Sequence, residues 1–317
     1  MTPQEAIVKA QTELNLHREE WENRYVQYLT QTVNNIDKIL ERRKKFHKWA
    51  NLSVYSTIGN AKDNKPYFDL RYQGQSVGSI YVKNGKVTLK ISKDQYKGNS
   101  DTKYFEGYPQ DLKPNKKGYP WNEKEAKTFR KYFQQGPEKK RHPEHRFENL
   151  LLKEFSKKNS AEKSLTGIQP VTLGKDIFFQ LPTPLTASGD DIEYSSGHGG
   201  IDILARRNRH LVVFELKDEY KESENPNKVI VQAIAYATFI AELCKNKAAA
   251  RAFWKLCKIN NEGDQKTICV SVLMPDPKDG SHPFSGNKIP IPHSDITIQL
   301  HYMFFDEETC QITDTSL

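Results

Sequence analysis

Apolar positions in the first fifty residues recur at a helical period. Val8, Leu14, Trp21, Tyr25, Tyr28, Leu29, Ile36 and Leu40 mark the run, and neither Pro nor Gly interrupts it after Pro3. One long helix or two shorter ones fits residues 3 to 50. Such a segment serves either as a dimerisation or partner helix or as packing on its own chain. The period changes near residue 52. The runs "YFDLRYQG", "QSVGSIYVKNG" and "KVTLKIS" are short and alternating. The Asn84-Gly85 pair predicts a type I′ hairpin between Ser79–Lys83 and Lys86–Ile91. Residues 53 to 93 therefore read as a small antiparallel sheet or barrel-like module.

Residues 94 to 121 are rich in Gly, Pro, Lys and Asn and read as a long loop or linker. "WNEKEAKTFRKYFQQ" predicts a helix ending at Gly136-Pro137, and the basic run "PEKKRHPEHR" follows. "PEHRFENLLLKEFSKK" is a helix with Phe147, Leu150, Leu151 and Phe155 on one side. "IQPVTLG" and "DIFFQL" are strand material, and "SGDDIEYSSGHGG" is an acidic loop. "GGIDILARR" and "HLVVFELKD" are two strands joined by a short turn. "NKVIVQAIAYATFIAELCK" is a helix that "AAARAFWKLCK" continues. "KTICVSVLMP" is a buried strand and "ITIQLHYMFF" a further one. There is no internal repeat. The expected class is α/β, in three parts: a helical segment at 1–50, a small β module with linker and helix at 51–135, and a larger domain at 136–317.

Composition changes this picture little. Hydrophobic residues make up 36% and charged residues 28%, the balance of a globular chain with a large polar surface. No run approaches the ~20 consecutive apolar residues of a bilayer span. The start "MTPQEAIVKAQTEL" lacks the basic and apolar regions of a secretory signal, so the expectation is a cytoplasmic protein with no membrane partner. A net charge of +8 and a pI of about 9.0 modestly favour phosphate-rich partners. Cys244, Cys257, Cys269 and Cys310 show no C-x-x-C pairing and read as reduced thiols, neither a zinc site nor a disulfide framework.

The chemistry concentrates on the paired strands near residue 208. If Asn208 and Arg209 form the turn, Arg207 faces His210. Five steps outward along both strands then bring Asp202 opposite Glu215, with Cβ atoms about 5 Å apart. Lys217 is two residues beyond Glu215 and shares its face. The neighbours Ile201, Ile203, Leu204, Val212, Val213, Phe214 and Leu216 are apolar. Two carboxylates in such surroundings repel and are costly to bury without a balancing cation. A hard divalent ion with oxygen ligands is the natural occupant, and Mg²⁺ suits phosphate chemistry. An ion pair between Lys217 and one carboxylate, on a partly exposed sheet, accounts for the same pattern without a metal. Glu148 on the preceding helix is placed to reach this patch. Gln232 and Tyr236, four apart on the following helix, share one face.

With these pieces in order, the sequence resembles the PD-(D/E)XK nuclease superfamily. The matching segments are "HRFENLLLKEF", "GGIDILARR", "FELK" and "QAIAY", spread over roughly residues 142 to 275. The helix with Glu is similar to Mrr-like restriction enzymes, and the Q-x-x-x-Y helix to the RecB-like branch. The resemblance implies a restriction-endonuclease-like core, αβββαβ, with a mixed sheet flanked by helices. It implies that Asp202, Glu215 and the Leu216 carbonyl hold Mg²⁺, for which Mn²⁺ can substitute. It gives Lys217 the attacking water and developing charge, and Glu148 a metal-bound water or second metal. Gln232 and Tyr236 would support the site or contact substrate phosphate, and His198 in the acidic loop would contact the scissile phosphate or be an ordinary surface residue. Glu144 and Glu154 compete with Glu148, and Asp190 and Asp191 lie in the same acidic loop.

The implied activity is a DNA endonuclease in a defence or restriction setting. A homo-oligomer or a defence-system partner protein would engage the N-terminal part. An exonuclease, a branched-DNA enzyme or an RNase has the same residues. So does a nucleic-acid-binding or assembly protein on an inactive nuclease fold, although such decay usually removes one of Asp202, Glu215 and Lys217. The basic residues Lys116, Lys117, Lys139, Lys140 and Arg141 flank the expected domain boundary. They read either as a phosphate-backbone track or as a solvated linker.

Overall fold

The computed structural model describes residues 1–46, 52–57, 67–83, 85–91, 105–109, 111–137, 148, 151–152, 167–188, 191–217, 225–259, 266–275, 284–306 and 312–315, excepting the side chains at 57, 67, 83, 197–199 and 313–315. In chain order, helices α1 (Pro3–Leu16), α2 (Arg18–Asn34) and α3 (Ile36–Arg43) precede strands β1 (Leu52–Thr57), β2 (Tyr67–Tyr72), β3 (Gln75–Lys83), β4 (Lys86–Ile91) and β5 (Tyr119–Pro120). Helix α4 (Lys124–Gln134) follows, then β6 (Ile168–Pro170), β7 (Thr172–Leu173), β8 (Ile177–Phe179), β9 (Pro182–Ser188) and β10 (Asp191–Gly200). Strands β11 (Ile203–Arg207) and β12 (His210–Leu216) lead to helices α5 (Pro226–Cys244) and α6 (Lys247–Cys257). Strands β13 (Lys266–Pro275), β14 (Lys288–Pro290), β15 (Ile296–Phe305) and β16 (Ile312–Thr315) close the described chain. The protein is mixed α/β and divides into two compact units.

One unit comprises Asn35–Leu150 and Thr172–Phe179. Its sheet runs β5-β4-β3-β2-β1-β8-β7. Strands β3 and β4 pair from Gly78↔Ile91 to Lys83↔Lys86, and Gly85 sits in the turn at φ 75, as the Asn-Gly dipeptide predicts. Helix α4 buries Ala126, Phe129, Tyr132 and Phe133 at helical spacing. The β7–β8 hairpin joins this sheet far from its neighbours in sequence, with β8 parallel to β1. Gly174 in its turn has φ 71, and a Cβ there would come within 2.6 Å of Leu40 on α3.

The other unit comprises Met1–Asn34, Leu151–Val171 and Gln180–Leu317. Its mixed sheet runs β14-β15-β13-β12-β11-β6, with β16 also on β15. Strands β12, β13 and β15 are mutually parallel, and β11 is antiparallel to β12. Every residue from Leu211 to Leu216 is buried, the near-continuous apolar run expected of a central strand covered on both faces. Helix α5 returns the chain from β12 toward β13. Asn225 caps it by accepting from the Asn227 and Lys228 amides, and Pro226 occupies the first turn. With 19 residues and a mean hydropathy of 1.2, α5 reaches the length and composition of a bilayer span, though Asn227, Lys228, Gln232 and Glu242 interrupt its apolar run. It is nonetheless a core helix, 83% buried inside the protein.

The N-terminal helices belong to this second unit. Trp21 and Tyr25 pack edge-on against Phe239 of α5 at 5.5 and 4.9 Å. Glu242, fully buried, gathers three partners: Arg18 at 2.7 Å, Gln11 at 2.7 Å and Lys245 at 2.6 Å. The helical segment thus divides after Asn34: α1 and α2 pack beside α5 and α6, while α3 belongs to the β-rich unit. A helical period shows which face is apolar, not which body covers it. Replacing Glu242 with Ala strands Arg18 and Lys245, both still 30% exposed at the side chain. Water recovers part of their solvation, so the expected cost is about 2 to 3 kcal/mol, below that of a wholly buried pair. The urea midpoint should fall with an unchanged m-value.

Candidate functional site

Strands β11 and β12 form an antiparallel hairpin that turns at Asn208-Arg209. Asn208 has φ 54, a left-handed conformation that Asn tolerates better than most residues. Pairing runs from Arg207↔His210 to Ile203↔Phe214. One residue further out on either side stand Asp202 and Glu215. Asp202 lies just before β11, and its Oδ2 accepts a hydrogen bond from the Leu216 amide at 2.8 Å. That bond fixes the carboxylate against β12 directly beside Glu215.

Glu215 is only 7% exposed, at the end of a central strand. The Lys217 Nζ lies 3.5 Å from its Oε1. Lys217 also donates its own amide to the Leu273 carbonyl at 2.9 Å. The ladder with β13 therefore continues past the last residue of β12 and holds the E-x-K segment extended, with the amine on the side of Glu215.

Helix α5 supplies two further side chains. Gln232 and Tyr236 are buried one turn apart. Gln232 donates from Nε2 to the Ala187 carbonyl in β9 at 2.7 Å, and the Tyr236 hydroxyl also meets the Ala187 backbone. Burial pushes the Tyr236 phenol well above its ordinary value, and the negative charges of Glu215 and Asp202 push it further. Both carboxylates are thus close to Tyr236, which remains a neutral donor at physiological pH. Asp202, Glu215, Lys217, Gln232 and Tyr236 converge at one end of the sheet. The Ala187 backbone and the Leu216 amide take part as well. Neither carries a sequence signal, because their contribution is main-chain.

The hydrogen bonds described for Glu148 lie within the β-rich unit. In the β-rich unit its Oε1 accepts from the Tyr55 hydroxyl at 2.8 Å and from Arg71 at 3.2 Å. Arg71 also pairs with Asp69 at 3.0 Å and lies 4.2 Å over the Tyr55 ring. Facing Glu148, Asp69 and Tyr55, the Arg71 guanidinium is held charged despite its burial. The segment read as an acidic loop is strand β10, paired with β9 and irregular between Tyr194 and Gly199. His198 falls in that irregular stretch, and its side chain lies outside the described atoms. Asp191 in β10 pairs with Lys9, whose hydrogen bond holds its carboxyl below the usual range. Lys116 and Lys117 are exposed, whereas Glu144, Glu154, Asp190, Lys139, Lys140 and Arg141 lie outside the described residues.

Among the described residues, no three His, Cys, Asp or Glu side chains gather as a metal-binding group. That donor set does not suit a four-ligand zinc centre or a many-oxygen calcium cage. It does suit Mg²⁺, which binds through one or two carboxylates and completes its shell with water and phosphate oxygens. The Asp202 oxygen that accepts the Leu216 amide keeps a second lone pair, so this bond orients the carboxylate without consuming it.

The weakened acidity of the Tyr236 phenol gives a pH test. The unfolded chain ionises this phenol near the ordinary value of 10.0, while the folded protein keeps it neutral to higher pH. Wild type should therefore lose stability relative to Tyr236→Phe as pH rises above 10. The loss should be at most about 1.4 kcal/mol per pH unit. Parallel urea titrations of the two proteins between pH 8 and pH 11 measure it, and a constant difference would show that the phenol is neither buried nor beside the carboxylates. Neither a protein-family model, nor a curated protein, nor a solved structure matches this chain, so the reading of its function rests on the geometry and on the motifs.

Proposed function

We propose that the chain is a Mg²⁺-dependent nuclease that hydrolyses phosphodiester bonds in DNA, on a PD-(D/E)XK-like core. The observation that carries this reading is the convergence of Asp202 and Glu215 across one hairpin, with Lys217 at 3.5 Å, Tyr236 of α5 within their field, and Gln232 beside Tyr236 on the Ala187 backbone. The order of elements supports it too: Asp before β11, E-x-K on antiparallel β12, the Gln/Tyr helix α5, then parallel β13. Glu148 enters as a structural residue of the β-rich unit, since the bonds described for it go to Tyr55 and Arg71.

Asp202, Glu215 and the Leu216 carbonyl would hold the ion. When bound, Mg²⁺ polarises the phosphoryl group and makes a coordinated water more acidic. The chain's own groups do the rest. The Leu216 amide keeps Asp202 turned toward Glu215. Lys217 presents N–H donors to the attacking water and to the negative charge that develops on phosphate oxygens. Tyr236, neutral and fixed at Ala187, adds no charge to a site already holding two carboxylates. The Glu215–Lys217 ion pair favours one other reading, a polar cluster that only stabilises the sheet end.

Mutation separates the two. Lys217→Ala should reduce Mg²⁺-dependent cleavage by about 10²- to 10⁴-fold and largely spare Mg²⁺ binding, because an ammonium is not a ligand. Asp202→Ala should abolish cleavage and weaken Mg²⁺ binding as well. Plasmid, linear duplex, single-stranded DNA and RNA are assayed together, with titration calorimetry for the ion and circular dichroism for the fold. Full activity in either variant would overturn the assignment.

A further inference from the structure

Helix α6 presents a face that the nuclease reading does not use. Its buried side is Ala249, Ala252, Phe253, Trp254, Leu256 and Cys257. Its exposed side carries Lys247, Arg251 and Lys255, and Lys258 caps the helix C-terminus. The spacing of four, four and three residues aligns these cations along one face, over roughly 16 Å of helix. Helix α6 contains no acidic residue. The whole chain has 40 acidic residues against 48 basic ones, so an exposed face of ordinary composition would mix the signs. The stripe continues onto the sheet: Arg206 of β11 reaches the Lys258 carbonyl at 3.4 Å. Two described acids flank the helix. Glu22 meets Asn246 at the N-terminal end, and Asp295 pairs with Lys266, itself stacked on the inward-facing Trp254.

We propose that this α6 stripe is a docking surface for the phosphate backbone of duplex nucleic acid, separate from the carboxylate site. Over ~16 Å one strand of a duplex carries about five phosphates, one per ~3.4 Å of axis, so four cations come near one per phosphate of the strand they face. An anionic membrane fits less well. Membrane-surface helices insert an apolar face beside their cations, and here that face is buried in the protein, leaving Ala248 as the exposed apolar residue of α6. Arg206 stands at the turn end of the β11–β12 hairpin and Asp202 and Glu215 at the other end. Four residues along the strands separate Arg206 from Asp202, and its partner Leu211 from Glu215, a distance of about 13 Å. The stripe therefore holds duplex flanking the scissile phosphate, which makes it a determinant of affinity and not of the chemical step.

The inference takes from the proposed function only that the ligand is a nucleic acid. Its test is binding of the full chain to a mixed-sequence 30-base-pair duplex, in chelator, at several salt concentrations. The comparison variant is Lys247→Gln, Arg251→Gln, Lys255→Gln and Lys258→Gln combined. Gln preserves helix propensity at these exposed positions, and a variant with Lys and Arg exchanged at the same positions controls for the fold. We expect the Gln variant to lose about two to four units of the log–log salt slope, near 0.9 per contact, and the exchanged variant to keep it. In Mg²⁺, cleavage by the Gln variant should show a raised KM with kcat preserved. An unchanged slope, no binding by the wild type, or a loss seen only with phosphatidylserine vesicles overturns the proposal. Cleavage that ignores the stripe overturns it too but leaves the nuclease reading standing. Stripe-dependent binding without any cleavage does the reverse.

Discussion

The register of one hairpin governs the site. Side chains in a strand alternate between faces, so a slip of a single residue at the Asn208-Arg209 turn would send Asp202 and Glu215 to opposite faces of the sheet. Asn208 in a left-handed conformation and the Arg207↔His210 pair fix the turn. From there the ladder carries the register outward to Ile203↔Phe214, and the Leu216 amide locks Asp202 one step beyond. Strand β12 cannot slide to another register, because β13 grips its opposite edge from Leu211↔Ile268 to Leu216↔Leu273. A central strand held on both edges is a rigid place for an acidic residue, and rigidity is what a preorganised site requires.

The sequence made this end of the molecule legible because its geometry is local. The distance from Asp202 to Glu215 follows from a two-residue turn, that from Glu215 to Lys217 from the strand period, and that from Gln232 to Tyr236 from the helix period. None needs tertiary information. What failed to show was non-local or carried by the main chain. Glu148 meets Tyr55 and Arg71 across 93 and 77 residues, and no period spans such gaps. The Ala187 carbonyl that receives Gln232 belongs to a strand whose partner, β10, looked like a loop because it is rich in Gly, Ser and Asp. Those residues disfavour strands in general, but pairing overrides a weak local preference. The basic stripe of α6 was present in the letters all along. It becomes visible only once α6 is known to bury its Phe253–Trp254 side.

The placement of residues 1–34 alters how the site is supported. Helix α1 holds β10 through Lys9 and Asp191, and through Glu13 and the Tyr194 amide at 3.2 Å. His17, just after α1, stacks on the Tyr194 ring at 4.0 Å. Arg24 of α2 reaches the Ser196 carbonyl at 3.1 Å. Strand β10 pairs with β9, and β9 offers Ala187 to Gln232 and Tyr236. The N-terminal helices thus brace one side of a two-stranded ribbon whose other side meets the core helix beside the carboxylates. Of the two roles the sequence left open for this segment, its first 34 residues take the packing on their own chain and form part of the scaffold that positions Gln232 and Tyr236.

Charge compensation completes the account of why acidic residues persist at so apolar a strand end. A carboxylate removed from water needs hydrogen bonds or an opposite charge to offset the lost solvation. Asp202 obtains a main-chain donor, and Glu215 obtains Lys217. Tyr236 is kept neutral and adds no third negative charge. Each carboxylate thus has compensation among the described residues, a main-chain amide for one and an ammonium for the other. The same logic separates this end of the sheet from α6, where the cations stand exposed to water and need no acidic neighbour on the helix.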